Sequence, residues 1–223
     1  MGWKRALHLP GILGQVDSFA QLSLTATSVP GFVGFWRLYA PGDDVYAANV
    51  NYGGTVTTDN VVELMRWKAG PRFRARAEAF ARAVPASSFN DARLRPQLSD
   101  ENLRDQYDLI CQHLRCKGLG TARRLIWPIF LCHVAQPLTT PIYDVNVWRA
   151  WGHIAGWIKP EHYRLIPVTF PVYLEYRRWF NDLTTTYGIE PRHLDQALVA
   201  YGRFLTSTWG KPIRHGTIIG RAT

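Results

Sequence analysis

From residue 58 to residue 208 the apolar residues repeat at helical spacing, and each run is cut off by glycine, proline or a capping side chain. That punctuation leaves room for helices of ordinary length and for little else. Thr58 or Asp59 can cap a helix carrying Val61, Leu64, Met65 and Lys68, with Gly70-Pro71 as its stop. A second helix is predicted from about Arg72 to Val84, with Phe73, Ala77, Phe80 and Ala81 at core spacing. After a loop over 85–98, Ser99-Asp100-Glu101 opens a third helix with Leu103, Tyr107, Ile110 and Leu114 on its apolar side. Gly118-Leu119-Gly120 ends it.

A strongly apolar helix is predicted over 121–135, kinked at Pro128. A proline-bounded loop follows over 136–143, and Asp144 then starts a helix with Val147, Trp148, Trp151 and Ile154. Two last helices span about 170–187 and 191–208, separated by Gly188. Trp127, Trp148, Trp151 and Trp179 fall on core faces. Residues 1–57 are different: rich in Gly, Pro, Ser and Thr, with no sustained helical period and with room for short strands around 45–57. The predicted fold class is therefore all-α. An irregular N-terminal region (1–57) packs on a helical lobe (58–160), and C-terminal helices (161–223) complete the body.

Charge narrows the partners. Of the 223 residues, 26 are Lys or Arg and 17 are Asp or Glu, a formal net charge of +9. An anionic partner is favoured, nucleic acid before a membrane surface, although a merely basic enzyme has the same balance. The hydrophobic fraction of 47% supports a substantial core. No apolar run approaches the ~18 residues of a spanning helix. The opening Met1-Gly2-Trp3-Lys4-Arg5 is too soon interrupted by Pro10 to read as a signal peptide. Cys111, Cys116 and Cys132, an odd number, fit reduced thiols in a cytoplasmic protein.

Two features carry chemistry. A helix–Gly-x-Gly–helix turn aims unsatisfied backbone N–H groups at a free helix N-terminus, which attracts anions. Here Arg115, Lys117, Arg123 and Arg124 flank it. Taken alone, the turn is equally an ordinary helix–helix connection. Asp144 is a favoured N-cap residue and needs no chemistry to explain it. The helix dipole also favours its ionised form, and such a carboxylate can stabilise positive charge at a sugar C1′ and orient water.

Together, Lys117-Gly118-Leu119-Gly120-Thr121-Ala122 and Tyr143-Asp144-Val145-Asn146-Val147-Trp148-Arg149 resemble the helix-hairpin-helix, Gly/Pro-rich loop, aspartate pattern of the HhH-GPD superfamily of DNA glycosylases. The likeness covers 99–157 by motif and 58–208 by helix order. The chain is also similar to uncharacterised bacterial members with a Trp-Lys segment and a Leu-Asp-x-Ala-Leu segment, here Trp67-Lys68 and Leu194-Asp195-Gln196-Ala197-Leu198.

The resemblance implies a two-lobed helical fold. It also implies that a flipped base is excised to leave an abasic site, with Asp144 as the catalytic carboxylate. Lys117, Gly118, Leu119, Gly120, Thr121, Arg123 and Arg124 would hold a phosphate of double-stranded DNA. Bifunctional members carry a nucleophilic lysine where this chain has Ala122, so the implied enzyme is monofunctional and uses water. Lys117 replaces the usual hairpin proline, and the stretch to Asp144 is longer than usual by a few residues.

The resemblance implies no cofactor. The iron–sulfur cluster of some members needs four closely spaced cysteines. A zinc site from Cys111, His113, Cys116, Cys132 and His133 has poor geometry, because residues 111 and 113 point to different helix faces.

A base reader needs aromatic and amide side chains. Trp36, Asn51, Tyr52, Trp67, Lys68 and Tyr143 are the base-pocket candidates, with Tyr39, Tyr46 and Asn49 as further options. Glu63 and Asp195 are the other notable acids. The base is damaged or modified. The loop-rich N-terminal region could make room for a bulky pyrimidine such as glucosylated hydroxymethylcytosine, which would point to defence against phage. A non-catalytic hairpin DNA-binding module and a helical protein acting on something other than DNA are the competing readings. The chain is expected to be monomeric.

Overall fold

The computed structural model describes residues 43–50, 54–90, 99–119, 125–155 and 169–206. Among these residues the regular structure is helical throughout, so the protein is all-α. The helices are α1 (Asp43–Asn49), α2 (Thr58–Ala69), α3 (Arg74–Ala83), α4 (Asp100–Cys116), α5 (Ile126–Ala135), α6 (Val145–Ile154), α7 (Phe170–Tyr187) and α8 (Pro191–Thr206). Short 3-10 turns cover Pro71–Phe73 and Ala86–Phe89.

The helix ends follow local chemistry. Thr57 caps α2: its hydroxyl accepts from the Asn60 N–H, and the Asn60 side chain accepts from the Thr57 N–H. This is a capping box with asparagine in place of glutamate, placed ahead of both expected caps, Thr58 and Asp59. Ser99 caps α4 through the Asn102 N–H at 3.1 Å. Pro128 lies in the first turn of α5, where a missing N–H breaks no helical bond, so the expected kink has no cause there.

Two further expectations are corrected. Of the stretch 45–57, residues 45–49 belong to α1 instead of a strand, with Asp43 and Asp44 at its N-terminus and Tyr46 buried, while residues 51–53 lie outside the described residues. Phe73 is 49% exposed, because Pro71 starts a 3-10 turn that puts residue 73 out of register with α3.

The described residues form two compact units. The first takes 43–143 and 169–178. Here α2 packs on α3, α1 and α5, and α4 packs on α5. Val61, Leu64, Phe80, Ile110, Ile129 and Phe130 are at its centre, each 1% exposed or less. Asp100 joins the first turn of α4 to α7, accepting from Arg177 at 2.7 Å and from Arg178 Nε at 2.8 Å.

The second unit takes 144–155 and 179–206, with α6 packed on α8. Trp151 is fully buried between Trp148 and Trp179, at ring distances of 6.0 and 6.3 Å. The predicted core roles of these three tryptophans hold, while Trp127 is half-buried with its ring 4.9 Å from Phe80.

Candidate active site

In the first unit, α4 ends in a Schellman motif. The Gly118 N–H donates to Arg115 O and the Leu119 N–H to Leu114 O, both at 2.9 Å. Gly118 has φ +67°, the left-handed conformation that the motif needs at this position. A Cβ there would meet nothing within 4 Å, so the requirement for glycine is conformational alone. Arg115 and Lys117 are exposed beside the turn. Gly120, Thr121, Arg123 and Arg124 lie outside the described residues. Leu125 already has helical angles (φ −45°, ψ −37°) ahead of α5.

The loop from α5 to Tyr143 is held through its backbone. Three successive carbonyls each accept a hydrogen bond from a side chain of another element. Arg177 Nε donates to Thr139 O at 2.9 Å, His133 Nδ1 to Thr140 O at 2.7 Å, and the Tyr173 hydroxyl to Pro141 O at 3.1 Å. A carbonyl oxygen can only accept, which places the His133 proton on Nδ1 and leaves Nε2 to accept from the Tyr46 hydroxyl at 2.8 Å. Residues 140–143 are buried in succession, and buried backbone polar groups must be satisfied; these donors serve the carbonyls of 139–141 where no helix or sheet does. Sequence reading placed none of His133, Arg177 or Tyr173 in such a role. A polar residue in an apolar helix, as His133 is in α5, was the one available signal.

Trp67 and Lys68 belong to an aromatic cluster at the end of α2. The Trp67 ring is 5.1 Å from Tyr46 and 6.1 Å from Phe130, and Lys68 Nζ stands 5.8 Å from the Phe130 ring centre. Both side chains are half-buried. Tyr46 is 2% exposed, and its hydroxyl is engaged by His133. Asn49 binds Val45 O and accepts from Asn60. Tyr143 is 1% exposed, with its ring 5.7 Å from Tyr173 and 5.4 Å from Tyr176, so it packs into a tyrosine core. Trp36, Tyr39, Asn51 and Tyr52 lie outside the described residues. Glu63 is paired with Arg66, which also binds Glu78 at 2.8 Å; this trio accounts for Glu63.

Asp144 opens the second unit as the N-cap of α6. Its backbone is extended (φ −154°, ψ −177°), and Oδ1 accepts from Asn146 N at 2.8 Å and Val147 N at 3.1 Å. The side chain is half-buried. Gly202 of α8 lies against the same turn: a Cβ there would sit 1.9 Å from the Asn146 carbonyl oxygen. Asp195 is 2% exposed on α8. At the far end of α6, His153 Nδ1 lies 2.8 Å from the Tyr201 hydroxyl, and burial pushes the pKa of His153 below its ordinary value.

Cys111 and Cys132 are buried and Cys116 is exposed. Burial raises the Cys132 pKa well above the usual thiol range, with Cys111 adding to the effect. Among the described residues no group of three or more His, Cys, Asp or Glu could hold a metal ion, and no helix is long and apolar enough to cross a membrane.

These features define an all-α protein with a capping carboxylate at the end of a tightly pinned loop. No protein-family model, curated protein or solved structure matches the chain.

Proposed function

We propose that the protein is a monofunctional DNA glycosylase that acts on double-stranded DNA with Asp144 as its catalytic carboxylate. The observation that carries this reading is the way Asp144 is held. Two backbone N–H groups fix its Oδ1, and the loop before it is tied down through three consecutive carbonyls. Chemistry at C1′ calls for a negative charge that is in place before the transition state forms. In the proposed step, water attacks C1′ and the N-glycosidic bond breaks, with the bonding electrons leaving on the base, which takes up the proton that the water gives up. Asp144 stabilises the positive charge that develops on the sugar and orients the water. Ala122 offers no amine, so no Schiff base forms and the product is an intact strand with an abasic site.

The glycine turn at 118–120, with Lys117, Thr121, Arg123 and Arg124, is assigned to a DNA phosphate. Phosphate contact fixes register without reading sequence. Trp67 and Lys68, half-buried, remain candidates for base contact along with Trp36, Asn51 and Tyr52; the buried Tyr143 supports the site through packing. The proposed substrate is a damaged or modified base. A bulky pyrimidine such as glucosylated hydroxymethylcytosine in phage DNA would give the enzyme a defensive role. The protein is proposed to act as a cytoplasmic monomer.

A non-catalytic DNA-binding module is the second reading, because capping alone explains the two bonds to Oδ1. Alkali-developed strand cleavage separates the two. The panel holds uracil, 8-oxoguanine, alkylated purines, and plain, hydroxymethylated and glucosylated cytosine. Cleavage that needs alkali and disappears in Asp144→Asn supports the glycosylase and names its base. Salt-sensitive duplex binding with no abasic product from any substrate supports the binding module.

A further inference from the structure

The segment Pro71–Ala83 carries four arginines and one acid. Arg72, Arg74, Arg76 and Arg82 are all exposed, and none has an ion-pair partner among the described residues. The acid, Glu78, is engaged by Arg66, and Arg74 and Arg82 help to hold its pKa below the usual carboxylate range. Arg82 follows Arg74 by about two turns on the solvent side of α3, about 12 Å along the axis. Small Ala75 and Ala79, both exposed, lie on the same side and keep it open to close approach.

We infer that this face of α3 and the turn before it is a second contact surface for the backbone of duplex DNA, separate from the glycine turn at 118–120. A length of about 12 Å spans about three phosphates of one strand. The inference rests on the reading of the protein as one that acts on DNA.

Other occupants fit the surface less well. A membrane interface needs an exposed apolar face, but Ala77, Phe80 and Ala81 are wholly buried, leaving Phe73 as the one large exposed apolar side chain of the segment. A protein partner needs an apolar centre inside a polar rim, and this face has none: its one acid, Glu78, stands between Arg74 and Arg82 and is already taken by Arg66. The Arg72 guanidinium lies 5.5 Å from the Phe73 ring centre, a cation–π contact that leaves the arginine exposed and charged.

The test uses the full chain, a fluorescently labelled duplex and anisotropy from about 50 to about 200 mM salt. The variant is Arg72→Gln/Arg74→Gln/Arg82→Gln. Each lost phosphate contact makes the slope of log K against log salt shallower by about 0.9, so affinity falls about 3.5-fold less over that range for each arginine removed. The expected result is a slope shallower by nearly three. An unchanged slope overturns the inference. So does an equal loss of binding to phosphatidylserine vesicles with duplex binding intact. If the triple variant fails to fold, Arg82→Gln alone, at an exposed site within α3, is read in the same way for a change of about 0.9. Abasic-site formation by the wild type is scored separately. Base release with an unchanged slope sinks the inference and leaves the glycosylase reading standing. A shallower slope with no base release does the reverse.

Discussion

Gly202 passes so close to Asn146 that a Cβ built on it would stand 1.9 Å from the Asn146 carbonyl oxygen and 2.5 Å from its carbon. No flexible side chain is involved, so a methyl group at 202 must push α8 away from the first turn of α6. That turn is the one Asp144 caps. Overpacking of this kind costs about 1–3 kcal/mol, and more where backbone must move. Gly202→Ala is therefore expected to lower the unfolding free energy by an amount at or above the top of that range, read as a lower urea midpoint, and to weaken any Asp144-dependent activity. A midpoint within error of the wild type would mean that α8 does not approach α6 this closely.

The capping and chemical roles of Asp144 can be separated by two substitutions. Asparagine caps a helix about as well as aspartate, whereas alanine forfeits about 1 kcal/mol. Asp144→Asn should leave thermal stability nearly unchanged, and Asp144→Ala should lower it by about that amount. Both should abolish base release if the charge is what stabilises the sugar cation. Calorimetry beside the alkali assay gives both readings. Activity surviving in Asp144→Asn would reduce Asp144 to a cap.

These contrasts show why part of the molecule was legible in its sequence. Ser99, Asp144, Gly70, Gly118 and Gly188 act within one helical turn, so α2, α4 and α6 to α8 could be placed from local signals. Helix α1 could not, because seven residues are too few to show a period. Phe73 was misplaced because a 3-10 turn shifts register in a way that composition does not record. At the candidate site, Asp144 announced itself as a cap. Its support did not: His133, Arg177 and Tyr173 act on carbonyls 7, 38 and 32 residues away, and backbone acceptors leave no mark on the side-chain pattern.

His133 holds two buried polar groups at once, the Tyr46 hydroxyl and the Thr140 carbonyl. Replacing it with leucine keeps the bulk and removes both bonds. Each buried group left unsatisfied costs about 1–3 kcal/mol, so His133→Leu is expected to cost about 2–5 kcal/mol in chemical denaturation. Tyr46→Phe removes one hydroxyl and its bond to Nε2, for a loss at the low end of about 1–3 kcal/mol. In the double variant the Tyr46 part of the cost should vanish, giving a coupling energy above about 0.5 kcal/mol. Strict additivity would show that Tyr46 and His133 are not bonded. Amide exchange over 139–141 should quicken in His133→Leu and stay slow in Tyr46→Phe.

His153 gives the protein a pH response of definite sign. Burial lowers its folded-state pKa below the ordinary histidine value, so the unfolded chain takes up the proton first as pH falls. At neutral pH and above, both states are neutral at this residue and it contributes no pH dependence. As pH drops through the ordinary histidine value of about 6.5, the unfolded state gains a proton that the folded state resists, and stability falls until the folded pKa is passed. The Tyr201 hydroxyl lies 2.8 Å from Nδ1, and in the tautomer in which Nδ1 accepts from it, protonation removes that acceptor. His153→Gln keeps an acceptor in place without titrating. Its urea midpoint should be lower than the wild type's at neutral pH, and the gap should narrow or reverse in mild acid. Parallel pH profiles for the two proteins would mean that His153 is solvated in the folded state and titrates there as it does in the unfolded chain.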